Sequence, residues 1–166
     1  MEYIHRYHSP IGGITMAADG KRLCGLWFDG QKHFAAGLYP GCHEKQLDIF
    51  DLTDQWLDIY FSGKIPGFTP PLSMKTTAFR KAVWTFLLSI PYGQTMTYGQ
   101  IANLFARQRG IERMSAQAVG SAVAHNAISL IIPCHRVVGT GGNLTGYAGG
   151  LERKIWLLNM EKSFPL

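Results

Sequence analysis

Ile131-Ile132-Pro133-Cys134-His135-Arg136-Val137-Val138 is the stretch on which the reading of this chain turns. The run Ile128-Ser129-Leu130-Ile131-Ile132 is apolar and β-branched, which predicts a short buried strand. Pro133 ends it, because its ring fixes φ and removes a ladder donor. Cys134 is thereby expected at the end of a rigid core strand, with His135 and Arg136 directly after it. Two potential cations beside a sulfur favour the thiolate, the reactive form of cysteine, and predict a titration well below the ordinary value of about 8.5. An inert buried cysteine is the competing reading, and the commoner fate of a lone thiol.

Working outward, Gly139–Gly150 is a glycine-rich loop, expected to fold over Cys134; it lacks the Gly-Lys-Ser/Thr ending of a phosphate cradle. Leu151–Met160 reads as a closing helix with Leu151, Ile155 and Leu158 inward. Upstream, Phe79, Val83, Phe86, Leu87 and Ile90 recur at helical spacing over Thr77–Ile90, and Pro91 stops them. Thr97 and Gln100 form a capping box that opens a helix over Tyr98–Ala106. After the basic connection Arg107–Met114, Ser115 caps a second short helix through Ala124, so the pair predicts a helix-turn-helix. That second helix, Ala116-Gln117-Ala118-Val119-Gly120-Ser121-Ala122-Val123-Ala124, carries few of the long polar side chains that read base edges. Its small residues suit close backbone approach, either to a narrow groove or to a packed neighbour.

The first part of the chain has a different grain. Tyr3-Ile4-His5-Arg6-Tyr7, Gly13-Ile14-Thr15-Met16-Ala17 and Leu23-Cys24-Gly25-Leu26-Trp27-Phe28 are short apolar bursts punctuated by Gly12-Gly13 and Asp19-Gly20, an antiparallel meander. A helix fits Leu47–Phe61, and the proline- and glycine-rich Gly63–Ser73 reads as a linker. The expected fold class is α/β: a small antiparallel sheet-plus-helix domain over 1–72, then a mostly helical domain with a helix-turn-helix over 73–166.

With 166 residues, 46% hydrophobic and 16% charged, the chain has the composition of a globular protein and not of a disordered one. No apolar run reaches the roughly 18 residues of a membrane span, so no membrane partner is expected. Met1-Glu2-Tyr3-Ile4-His5-Arg6 is unlike a signal peptide, and three cysteines do not make a disulfide framework. A cytoplasmic, reduced, monomeric protein is expected. The net charge of +5 is compatible with a polyanionic partner and equally with simple solubility.

The pentapeptide Pro133-Cys134-His135-Arg136-Val137 resembles the active-site signature of the O6-alkylguanine-DNA alkyltransferases, also called methylated-DNA–protein-cysteine methyltransferases. Ile90-Pro91-Tyr92-Gly93-Gln94, Thr97-Tyr98-Gly99-Gln100, Ala118-Val119-Gly120, Asn126, Gly146-Tyr147-Ala148-Gly149-Gly150 and Trp156-Leu157-Leu158 stand around it in the family's order. The resemblance spans Thr76 to Glu161; before residue 70 it rests on Ser9-Pro10-Ile11-Gly12. It implies direct repair of O6-alkylguanine in double-stranded DNA by irreversible transfer of the alkyl group to Cys134, once per molecule and with no cofactor. O4-alkylthymine is a second substrate that the sequence leaves open.

The same resemblance implies roles. His135 takes the thiol proton through a water, Glu161 stabilises the charged imidazole, and Asn126 ties the second helix to the active-site segment. Tyr98, Gly99, Arg113, Ser115, Gln117 and Gly120 would meet DNA, with Tyr98 helping to turn the base out. Val123, Val137, Tyr147 and Ala148 would line the pocket. On their own terms Glu161 reads as a helix-end charge, Asn126 as a turn residue and Tyr98 as a core aromatic. There are departures: Gln117 stands where an arginine is usual, and Ala127 where a proline often follows the asparagine. Some members hold zinc in the first domain. Here Asp19 falls where one cysteine would be, and His5, His8, Cys24, His33, Cys42 and His43 lack compact ligand spacing, so no metal is expected. The rival readings are a lesion-binding module without transfer and a helix-turn-helix regulator that uses Cys134 as a redox sensor.

Overall fold

A computed structural model describes residues 1–162 and divides the chain into two compact units. The first comprises Met1–Lys75 together with Ala127–Ile131, and the second Thr76–Asn126 together with the chain from Ile132 onward.

In the first unit, β1 (Tyr3–Ser9), β2 (Gly12–Ala18) and β3 (Leu23–Phe28) form the expected antiparallel meander, in the sheet order β3-β2-β1-β4. The fourth strand, β4 (His43–Glu44), pairs parallel to β1 and was not foreseen, since two exposed polar residues carry no strand pattern. Gly12 turns the first hairpin at φ +118, where Ser9 Oγ donates to its carbonyl at 2.6 Å. At the second turn Asp19 Oδ1 accepts the amides of Lys21 and Arg22. Helix α1 (Asp48–Phe61) buries Ile49, Phe50, Trp56, Leu57 and Tyr60 along one stripe. Its sheet-facing side also stacks Phe50 on His5 and joins Asp54 to His5 and Asp58 to Tyr7, at 2.9 and 2.6 Å.

The predicted strand over Ile128–Ile132 does not form. Ile128 makes one isolated bridge to Leu26, where Leu26 donates to the Ala127 carbonyl and Ser129 donates back to that of Leu26. The chain then turns, with Leu130 at φ +70 and the Ile131 amide on the Ser129 carbonyl. All five side chains are buried nonetheless. An apolar run records the demand for burial, and a buried turn meets that demand as well as a strand.

In the second unit, α2 (Ala78–Leu87) is capped by Thr77 and ends three residues before Ile90, because the turn ahead of Pro91 unwinds into short-range bonds. Strand β5 (Met96–Thr97) leads into α3 (Tyr98–Arg109), which opens on the expected Thr97–Gln100 capping box. It runs three residues past Ala106 and stops at Gly110 in the left-handed conformation. Ser115 caps α4 (Ala116–Ala124), as the sequence predicts. Trp84 Nε1 donates to the Ala122 carbonyl at 2.8 Å and pins α4 to α2. Strand β6 (Val137–Val138) pairs parallel with β5.

The closing helix α5 (Leu151–Met160) has the expected span but another inward face. Leu151 and Ile155 are 44% and 37% exposed, whereas Lys154, Leu157 and Leu158 are fully buried. A lysine can face inward there because its ammonium meets three backbone carbonyls. Among the described residues no helix is long and apolar enough to cross a membrane.

Candidate active site

Cys134 opens a single 3-10 turn, Cys134–Arg136, in place of a strand end. The turn is closed by backbone: the Cys134 amide donates to Ile132 at 2.8 Å, Arg136 to Pro133 at 3.0 Å, and Val137 to Cys134. Asn126, just beyond α4, donates from Nδ2 to the Ile132 carbonyl at 2.9 Å and also hydrogen-bonds the Cys134 sulfur. One amide side chain thus joins the helix-turn-helix to the cysteine turn.

His135 is fully buried, and its Nε2 lies 2.7 Å from Glu161 Oε2. Glu161 follows α5 directly and also receives Arg136 Nε at 2.8 Å, Arg136 Nη2 at 3.1 Å and the Gly93 amide at 3.2 Å. The third nitrogen of Arg136 donates to the Ile90 carbonyl at 2.8 Å, and the guanidinium stands over the Tyr92 ring. Lys154 Nζ donates to the carbonyls of Val137, Thr145 and Gly146 at 2.6, 3.0 and 3.4 Å. It thereby holds the glycine-rich loop to the strand that follows the cysteine.

The charges follow from these contacts. Burial alone would raise Glu161, but the hydrogen bond and charge of His135, then those of Arg136, hold it well below the usual carboxylate range. Burial lowers His135, the bond to Glu161 opposes that, and the charges of Arg136 and Lys154 add to the lowering. Glu161 is therefore an ionised carboxylate, and burial favours the neutral form of the imidazole beside it. Burial brings Lys154 down to about 8, against the pull of Cys134.

Cys134 departs from expectation. Burial pushes its thiol up, not down, although Asn126, the Lys154 charge and the amides of Cys134 and His135 all favour the thiolate. Sequence adjacency to two potential cations predicts a stabilised thiolate; a residue only 4% exposed pays the desolvation of its anion instead. At neutral pH the resting group is a thiol, and its proton must move during any reaction.

Of the expected DNA-facing residues, Tyr98, Gly99, Gln117 and Gly120 line one groove of about 620 Å³ with Thr140 and Thr145. Ser115 lies outside that lining as the α4 cap. Arg113 lies in a separate surface depression beside Arg107 and Ile111. Val123 and Val137 are buried, while Tyr147 and Ala148 are half-buried in the loop. The roles of Arg136 and Lys154 were missed. Arg136 read only as a flanking cation, and Lys154 sits one turn from Leu157 and Leu158, where a long side chain usually snorkels to solvent. Among the described residues no three His, Cys, Asp or Glu side chains gather as a metal site requires.

Residues 78–163 match the DNA-binding domain of 6-O-methylguanine DNA methyltransferase, and residues 3–74 match its ribonuclease-like domain. The methylated-DNA–protein-cysteine methyltransferase of Mycobacterium tuberculosis is 40% identical over 159 residues, which are 93% of this chain and 89% of that protein. The chain belongs to the methylated-DNA–protein-cysteine methyltransferases. The member from Methanosarcina acetivorans is 38% identical over 162 residues, 97% of this chain and 99% of that one. Among solved structures, Mycobacterium tuberculosis OGT in complex with DNA has a TM-score of 0.82 at 39% identity, covering 97% of this chain and 93% of its own. Methyltransferase activity in DNA repair is thus the class of work done by this chain, on the α/β fold that the family shares.

Proposed function

We propose that this methyltransferase repairs O6-alkylguanine in double-stranded DNA by irreversible transfer of the alkyl group to Cys134. The observation that carries the reading is one 3-10 turn that holds two sets of contacts together: Asn126 on the Ile132 carbonyl and the Cys134 sulfur, and His135 and Arg136 on Glu161, with His135 2.7 Å from the carboxylate. His135, neutral and oriented by Glu161, takes the thiol proton through a water, and the sulfur attacks the alkyl carbon. The C–S bond forms as the C–O6 bond breaks, and the guanine anion recovers a proton. The product is a thioether, which cannot leave, so each molecule acts once. No cofactor takes part.

The alkylated oxygen lies inside the duplex, so the base must leave the stack at a cost of a few kcal/mol, less where alkylation has already weakened pairing. Tyr98 and Gly99 at the start of α3, with Gln117 and Gly120 of α4, present the groove for that step. Gly120 is not demanded by internal packing, since an added Cβ would sit 3.6 Å from Tyr98, an ordinary contact. Its smallness serves close approach to the duplex. Arg113 and Ser115 would meet the backbone, and Val123, Val137, Tyr147 and Ala148 would enclose the flipped base. In this reading residues 73–166 carry both DNA binding and transfer, and the protein works as a monomer in the reducing cytoplasm, its three cysteines free.

The direct test is the intact mass of the protein after incubation with a duplex containing O6-methylguanine. One added methyl, mapped to Cys134, is expected. Methyl on Cys24 would overturn the assignment; burial and then Glu2 push that thiol up to about 12. Lesion binding without a mass change would favour the binding module.

Gln117 gives a second prediction. It is exposed early on α4 and lines the groove. Gln117→Arg adds a cation and a planar group able to fill the vacated stack. Duplex binding should tighten, with its salt dependence steeper by about one ion. Duplex repair should accelerate, while reaction with the free base O6-benzylguanine, which needs no flipping, should hold constant. Equal changes in the two rates would place Gln117 in the pocket.

A further inference from the structure

We infer that Arg136 is a positioning residue: by neutralising Glu161 through a two-point hold, it keeps His135 uncharged and so able to accept the Cys134 proton. This rests on the reading of His135 as the base. A buried imidazole 2.7 Å from a buried carboxylate has one obvious way to spoil itself as a base. It can take a proton and become half of a permanent ion pair, because a lone carboxylate in a dry site demands a counter-charge. Arg136 supplies that counter-charge first. Its Nε and Nη2 reach the two different oxygens of Glu161 at 2.8 and 3.1 Å, and a guanidinium does not give up its proton.

The hold is anchored away from the histidine. Nη1 of Arg136 donates to the Ile90 carbonyl at 2.8 Å, and the Gly93 amide adds a further donor to Glu161 Oε1 at 3.2 Å. The segment between α2 and β5 therefore fixes the arginine–carboxylate plane. Glu161 Oε2 accepts from His135 Nε2, which places the one proton of a neutral imidazole on that nitrogen. The other ionisable groups in this surround are Lys154 from α5, Cys134 on the same turn, and Tyr92, whose ring lies under the guanidinium. Lys154 is cationic and works in the same direction as Arg136, while Cys134 is a neutral thiol at rest. With Arg136 in place, Arg136 and Glu161 cancel, and an imidazolium would be surplus positive charge.

The test needs three proteins and two readouts. In the unaltered protein, the ring-nitrogen NMR shifts of His135 should report a neutral imidazole at pH 7, with the proton on Nε2. A His135 found charged at pH 7 overturns the inference without any mutation. The second readout is the pH dependence of alkylation by free O6-benzylguanine, whose acid limb reports the base. In Arg136→Gln the His135 titration and the acid limb should both move up by about one pH unit or more. Below the limb the rate falls about tenfold per unit moved, and it recovers at high pH. Arg136→Lys, which keeps the charge, should leave the limb near its original place. A loss by one constant factor at every pH, with no movement of the limb, would mean that Arg136 is merely structural and would overturn the inference. So would an equal shift in Arg136→Lys. A protein that never alkylates would refute Cys134 transfer, yet the His135 titration would still decide the role of Arg136.

Discussion

Cys134→Ala should reduce methyl transfer from O6-methylguanine DNA to background while leaving affinity for the lesion-bearing duplex near that of the unaltered protein. The separation is expected because the sulfur is chemically indispensable but structurally minor. The 3-10 turn that carries it is closed by backbone bonds from Cys134 to Ile132, Arg136 to Pro133 and Val137 to Cys134, none of which uses the side chain. Asn126 keeps its bond to the Ile132 carbonyl, so the link from α4 to the turn survives. The groove residues Tyr98, Gly99, Gln117 and Gly120 lie on α3 and α4 and are untouched. Mass spectrometry and a binding titration on the same preparation check both halves. Binding lost together with transfer would show that the thiol holds the fold or the lesion, and not only the alkyl group.

Glu161→Gln should have the largest effect on stability. The carboxylate accepts from His135, twice from Arg136 and from the Gly93 amide, with its side chain fully buried. An amide offers one oxygen, so its NH₂ must face at least one of those donors, and Arg136 is left as a buried charge without its partner. Removing one half of a buried pair costs about 3–5 kcal/mol. The pH dependence has a definite sign. Glu161 is held well below the usual carboxylate range, so its contribution is complete above about pH 4.3, the unfolded value, and is lost as pH falls toward the folded one. The stability gap between the two proteins should therefore be widest at pH 7 and narrow by pH 3, as urea unfolding would measure. Transfer should slow as well, because His135 loses the carboxylate that orients it; the ceiling is about 10²–10⁴-fold, the usual worth of the base itself. Equal stabilities at pH 7 would show that the buried carboxylate and its hydrogen bonds add nothing net to the fold.

Local chemistry alone was enough to place much of this protein. The Thr97–Gln100 capping box and the Ser115 cap mark the starts of α3 and α4, because a cap is made by residues three apart and needs no tertiary partner. The three-stranded meander was equally legible, since alternation and glycine turns act over a few residues. Cys134 and His135 announced themselves by adjacency and by the resemblance around them. What the sequence could not decide were features made by partners distant along the chain. Ile128–Ile132 is apolar in either case, and only the bridge to Leu26 and the left-handed Leu130 determine that it turns. Lys154 faces inward because carbonyls at Val137, Thr145 and Gly146 happen to receive it. Arg136 and Gly93 converge on Glu161 from separate stretches of the second unit, and burial of Cys134 reverses its expected charge state. Helix caps and hairpin turns are determined by neighbours in sequence; burial, buried turns and buried charge depend on neighbours in space, and those exist only once the chain has folded.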